Sequence, residues 1–163
     1  MLDFISCYNE LISEAGSGDV FDDLRDLVVG VREERGFSLV EASVHLGCER
    51  QWLWHLEENF RRVGLDDFDF VLSGFGVEFM ILGLGGDELV AMRRPETLVS
   101  GFLSLVRQFM IIRGISQVEL AELLGVKQPS ISFLLKGKRI LWFDSVKKLE
   151  DALDFKFVVV RLS

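Results

Sequence analysis

Slid against itself by 78 positions, the chain aligns Leu24 to Leu82 with Phe102 to Val160 without a gap. A repeat on that scale constrains the fold more than any local pattern, because two copies of one small unit must each bury the same face. The matches fall where structure is decided. Leu27-Val28 pairs with Leu105-Val106, Arg35-Gly36 with Arg113-Gly114, Leu46-Gly47 with Leu124-Gly125, and Leu56 with Leu134. Arg61 with Arg139, Asp66 with Asp144 and Phe79 with Phe157 extend the register to its end.

In the second copy, Phe102, Leu105, Val106, Phe109 and Met110 recur at helical spacing and stop at Arg113-Gly114, where glycine suits the left-handed residue after a helix. Ser116-Gln117-Val118-Glu119 then reads as a capping box, which opens a second helix running to Gly125. Gln128-Pro129-Ser130 opens a third helix, with Pro in the first turn, Ile131 and Leu134 on a buried edge, and Gly137 closing it. Asp144 is expected to cap a fourth helix carrying Val146, Leu149, Ala152 and Leu153 on one side. Residues 155–161, rich in Phe and Val, read as a strand.

The first copy follows the same plan, from Leu24, Leu27, Val28 and Val31 through the capping box Ser38-Leu39-Val40-Glu41 to a helix containing Trp52, Leu53 and Leu56. Asp66 starts its fourth helix and residues 77–82 form its strand. Residues 1–18 read as an extra amphipathic helix built on Leu2, Phe4, Ile5, Tyr8, Leu11 and Ile12. The glycines and proline of residues 83–98 read as a linker, which divides the chain into units at 19–82 and 99–163. The fold class is mainly α, with two tandem helical units, each followed by a short strand. Strands this apolar need partners, so they are expected to pair within the chain, making an intramolecular pseudo-dimer, or between chains of a homodimer.

The run from Arg113 to Ser132, RGISQVELAELLGVKQPSIS, closely resembles the Cro/repressor, or XRE, helix-turn-helix family. The pattern is long and ordered: Gln after the cap, Glu-Leu-Ala, Gly in the turn, Gln opening the next helix, then Ile-Ser and a closing Gly. The resemblance makes each repeat a lambda-repressor-like unit. A helix-turn-helix followed by an apolar strand is also similar to HipB-type antitoxin repressors. The implied function is sequence-specific binding of operator DNA by a transcriptional regulator, most simply a repressor of antitoxin or phage type that controls its own operon.

In such a unit the helix opening at Gln128 lies in the major groove with its N-terminal side chains toward base edges. The resemblance puts Lys127, Gln128, Pro129, Ser132 and Phe133 at the base-facing positions. Gln suits adenine, whose N6 and N7 its amide can satisfy together, while Pro129 and Phe133 can touch thymine methyls. Gln117 and Ser130 fall at phosphate-contacting places, with Lys136, Lys138 and Arg139 as a basic cluster that positions the protein without reading sequence. Phe133 and Leu135 depart from the polar residues usual there.

The first copy departs further: Leu39 stands at the place of Gln117, and Glu49, Glu57 and Glu58 at those of Lys127, Leu135 and Lys136. Carboxylates facing phosphate would repel it. Arg50, Gln51, Arg61 and Arg62 are the residues left for a weaker second DNA site. Charge is divided accordingly. The net charge is −8, but residues 1–95 carry 8 basic and 19 acidic side chains, and residues 96–163 carry 10 basic and 7 acidic. A locally basic half is what meets DNA, and an acidic half suits a structural role or a grip on a protein partner such as a toxin or polymerase. A protein-binding module with DNA binding secondary is therefore the competing function.

Other features point to ordinary structure. Cys7 and Cys48 lack the spacing of a disulfide framework or a metal knuckle, and His45 and His55 add no ligand pattern, with His45 aligned to Leu123, read as a core position. Trp52 and Trp54 fit burial or an interface better than base stacking. Gly83, Gly85 and Gly86 are not followed by the Lys-Ser/Thr of a phosphate loop. Asp66, Asp67 and Asp69 suit a helix N-terminus. No nucleophile, base and orienter come together, so no enzyme, cofactor or metal is expected. No apolar run is long enough to span a bilayer, and a cytoplasmic protein is expected.

Overall fold

The computed structural model describes residues 19–59 and 62–162. The N-terminal amphipathic helix expected at residues 1–18 and Arg61 lie outside the described residues. The described elements are α1 (Val20–Glu34), α2 (Leu39–Leu46), α3 (Arg50–Glu58), α4 (Leu65–Gly74), β1 (Phe79–Gly85) and β2 (Glu88–Arg93), then α5 (Leu98–Arg113), α6 (Gln117–Leu124), α7 (Gln128–Leu135), α8 (Phe143–Leu153) and β3 (Lys156–Arg161). Helices dominate. Each of α1 to α4 begins 78 residues before its counterpart in α5 to α8.

Local chemistry sets the boundaries. Ser38 and Glu41 form the expected reciprocal box at α2, with Ser38 Oγ accepting the Glu41 N–H and the Glu41 carboxylate accepting the Ser38 N–H. At α6, Ser116 Oγ accepts the Glu119 N–H at 3.1 Å, but Ser116 turns its hydroxyl to the Glu119 carboxylate, so only half of that box forms. The two aspartates expected to cap the fourth helices sit one place further in. α4 and α8 start at Leu65 and Phe143, leaving Asp66 and Asp144 in the first turn, where they face the positive end of the helix dipole. Asp67 accepts the Gly64 N–H at 3.0 Å.

Residues 83–98 are not a linker. Gly83 and Gly85 belong to β1, Gly86 takes a left-handed φ of 61°, and β2 returns antiparallel with Gly85 opposite Glu88. Gly-Asp across a two-residue turn is a hairpin signal, and the glycines around it hide the strand's apolar pattern. β1 runs to Gly85 instead of stopping at Leu82 for the same reason.

The sheet has the order β2-β1-β3, so β1 and β3 pair with one another inside one chain. Phe79 lies opposite Arg161, Gly83 opposite Phe157 and, between them, Ile81 opposite Val159, its own counterpart 78 residues on. An isolated bridge joins Gly64 to Trp142, again 78 apart, flanked by bonds from the Leu65 N–H to the Leu141 carbonyl (2.9 Å) and from the Phe143 N–H to the Val63 carbonyl (3.2 Å).

One apolar core spans both halves. Phe21 meets the edges of Phe68 and Phe143, the second of these across the halves, and Phe102 packs on Phe157 with ring centres 5.0 Å apart. Such rings bury large apolar areas and prefer edge and offset contacts. Trp52 is half-buried against Phe70. Leu123 is not a core residue; it is 59% exposed, and its counterpart His45 is also exposed, stacked on Phe75 with a ring nitrogen 3.1 Å from the Gly74 carbonyl oxygen.

Candidate nucleic-acid interface

α6 and α7 are joined by the short turn of residues 125–127. Gly125 ends α6 with a left-handed φ of 67°, a conformation that glycine adopts without steric cost, and the Val126 N–H returns to the Ala121 carbonyl. Lys127 is then extended as the N-cap of α7, and Pro129 occupies the first turn, where its missing N–H costs no helical bond. Leu120 and Ala121 from α6, and Ile131 and Leu135 from α7, face the core. Arg107 on α5 donates to the Leu135 carbonyl and ties down the far end of α7.

The opposite face is the candidate surface. Lys127, Gln128, Pro129 and Phe133 are exposed, and Ser130 and Ser132 are half-buried beside them. Gln128 Nε2 donates to Gln117 Oε1 at 3.0 Å, linking the first residues of α6 and α7. Lys136, Lys138 and Arg139 follow, all exposed, with the Lys138 ammonium 5.9 Å from the centre of the Phe133 ring. The first turn of α7 carries no acid, and Lys127 at its N-cap adds a positive charge there. Beside it, Arg107, Ile111, Ser116, Gln117, Ser132 and Lys136 line an open groove of about 560 Å³. The ten residues that the sequence marks in the second half are thus brought to one helix-turn-helix and the loop after it. Sequence reasoning missed Arg107 and Ile111 in the lining of this groove; Ile111, on the last turn of α5, is 80% exposed, and no local pattern marks either residue.

Residues 106–159 match the helix-turn-helix family model HTH_3. The helix-turn-helix unit is of XRE type, a DNA-binding fold, and the match starts within α5 and ends within β3, so it takes in the whole of α6, α7 and α8. No curated protein and no solved structure matches the chain.

In the half that precedes the helix-turn-helix unit, Arg50 and Gln51 are exposed at the start of α3. Arg62 has its guanidinium 4.2 Å from the centre of the Trp142 ring, at the junction of the halves. Glu57 does not face outward either. Its carboxylate takes a two-pronged bond from Arg32, 2.8 Å to each oxygen, and its side chain is 5% exposed. The pair sits where the second half has Met110 and Leu135, both buried. Glu49 and Glu58 are the acids left exposed on this surface.

Among the described residues no group of three or more His, Cys, Asp or Glu is placed to hold a metal ion. Cys48 is half-buried, and burial pushes its thiol above the ordinary range, away from thiolate reactivity. Among the described residues no single helix is long and apolar enough to cross a membrane.

Proposed function

We propose that this chain is a sequence-specific transcriptional regulator that represses by occupying operator DNA, with α7 as its reading helix. The observation that carries this is the face of α7. Gln128 stands at its first residue, braced by Gln117, with Lys127 before it and the exposed Lys136, Lys138 and Arg139 following the far end of the helix, and no acid lies between residues 123 and 143. A braced amide can give and take one hydrogen bond each on an adenine edge, and the cations neutralise phosphates around it. Pro129, Ser132 and Phe133 complete the base-facing set, and Ser130 joins the phosphate-facing one. The chemistry is binding, not catalysis. The strand that follows the helix-turn-helix unit supports an antitoxin-like or phage-type regulator acting on its own promoter in the cytoplasm.

The test is binding to a labelled duplex from the gene's own upstream region, at two salt concentrations. Four cations on phosphates give a fall of log affinity with log salt of slope about −3 to −4. The double variant Lys127→Ala, Gln128→Ala is expected to lose the preference for that duplex over a scrambled one. Equal affinity for both duplexes in the wild type would overturn the reading.

A further inference from the structure

The pairings between the halves have a symmetry that the repeat alone does not require. Exchanging each residue for its counterpart 78 places away turns the Phe79 and Arg161 pair into Gly83 and Phe157, and the Leu65-to-Leu141 bond into the Phe143-to-Val63 bond. Gly64 with Trp142 and Ile81 with Val159 map onto themselves. A two-fold axis inside one chain therefore passes between both pairs. Such an isologous contact is the one by which two subunits of a homodimer usually meet. Here both sides of it come from a single polypeptide, and the outer edge of β1 is already taken by β2.

From this geometry we infer that one chain does the work of a dimer on DNA, with α3 as a second, weaker head beside α7. The inference rests on the reading of α7 given above. The two-fold makes α3 the mate of α7, so with that axis on a dyad of the duplex, α7 in one major groove has α3 at the equivalent place on a neighbouring stretch. Repressor dimers reach two half-sites about 10 base pairs apart in this manner. The residues at the mate of the reading position fit a duplex. Arg50 and Gln51 stand where Gln128 and Pro129 stand in the second half, and with Trp54 they line an open groove of about 510 Å³. Glu57, the acid that would oppose phosphate there, is turned inward onto Arg32. Glu49 and Glu58 remain, and Leu39 replaces the bracing Gln117. The two heads are thus unequal, and the matching site is two unlike half-sites, one read strongly and one held weakly.

The probe is the set of duplexes that the wild-type full chain enriches from a randomised pool about three helical turns long. Expected are one chain per duplex by native mass measurement and nuclease protection that spans two half-sites. The Arg50→Ala, Gln51→Ala variant, whose exposed changes leave the circular dichroism spectrum intact, should bind about three- to tenfold more weakly and protect only the half-site under α7, because the second contact acts through effective concentration. Two chains per duplex, or unchanged affinity and protection in that variant, overturns the inference and leaves the exposed Val40, Val44 and Trp54 to a protein partner. Gln128-dependent binding with a one-head footprint overturns this inference alone. A wild type that enriches no sequence overturns the reading of α7 as well.

Discussion

Gln128 Nε2 donates to Gln117 Oε1 at 3.0 Å, so the first side chain of the reading helix is held by the first side chain of the helix before it. The bond uses one of the amide's donors and leaves its oxygen and second hydrogen for a base edge. Loss of each partner should differ in kind. Gln128→Ala is expected to cost about 1 to 3 kcal/mol of discrimination at one base pair. Gln117→Ala removes a brace and an uncharged phosphate contact, so it should weaken binding to all duplexes alike and leave the salt slope unchanged. Fluorescence anisotropy on matched and single-substituted duplexes separates the two; an equal loss of discrimination in both variants would contradict the division of roles.

The Arg32 and Glu57 pair is a second place where two halves of one design differ. A buried ion pair is costly to break and cheap to replace whole, because the cost lies in leaving one charge unpaired in a dry setting. The pair is only partly buried, so Glu57→Leu alone is expected to destabilise the chain by about 1 to 3 kcal/mol, below the full cost of breaking a buried pair. Adding Arg32→Met, which copies Met110 and Leu135 from the second half, should recover most of that loss, short of the Arg32 bond to the Phe37 carbonyl. Urea denaturation of the single and double variants measures the coupling. A double variant no more stable than Glu57→Leu would show that the pair is not exchangeable with its apolar counterpart.

The contrast between those two halves also shows what a sequence can convey. The starts of α2, α6 and α7 and the Gly125 turn are legible because each depends on residues within a few places of one another. Alignment with Leu135, in a place that is usually polar, puts Glu57 outward; its partner Arg32 lies on another helix, and nothing local announces the pairing. β2 was lost among glycines for a related reason, since Gly83 and Gly85 take their place in β1 from what packs on them. The choice between pairing within one chain and between chains depended on contacts from Gly64 to Trp142 and from Ile81 to Val159, far beyond any local window.

Gly83 makes that dependence measurable. A Cβ built there would lie 2.6 Å from Phe109 Cε2 and 3.1 Å from Leu105 Cδ2, so the bare backbone of β1 is what lets α5 approach. Gly83→Ala is expected to cost about 1 to 3 kcal/mol through overpacking. Gly30, exposed in the middle of α1 with open space around it, is the control: Gly30→Ala should gain up to about 1 kcal/mol from helix propensity alone. Denaturation midpoints of the two variants should move in opposite directions, and a neutral Gly83→Ala would mean that α5 and β1 are less closely packed than their contact implies.

Glu150 makes the fold sensitive to pH. Its carboxylate, on α8, accepts the Phe157 N–H of β3 at 2.8 Å, and burial pushes its pKa up to about 7, against the pull of that N–H, with Asp19 adding to the rise and Lys147 opposing it. In the unfolded chain the same group loses its proton in the ordinary carboxyl range. Between that range and about pH 7 the folded state holds a proton that the unfolded state has released, so this group's contribution to stability is full at the acid end and is lost as the pH rises. Other carboxylates act in the opposite sense, as Glu34 does where the Arg161 hydrogen bond holds it below its usual range, and the wild-type profile alone would mix the two. Glu150→Gln separates them. The amide oxygen can still accept the Phe157 N–H, but there is no charge to bury, so the variant should match the wild type near pH 5 and exceed it above pH 7. Urea midpoints across that interval provide the check, and a difference between the two chains that does not change with pH would mean that Glu150 is better solvated than its place between α8 and β3 indicates.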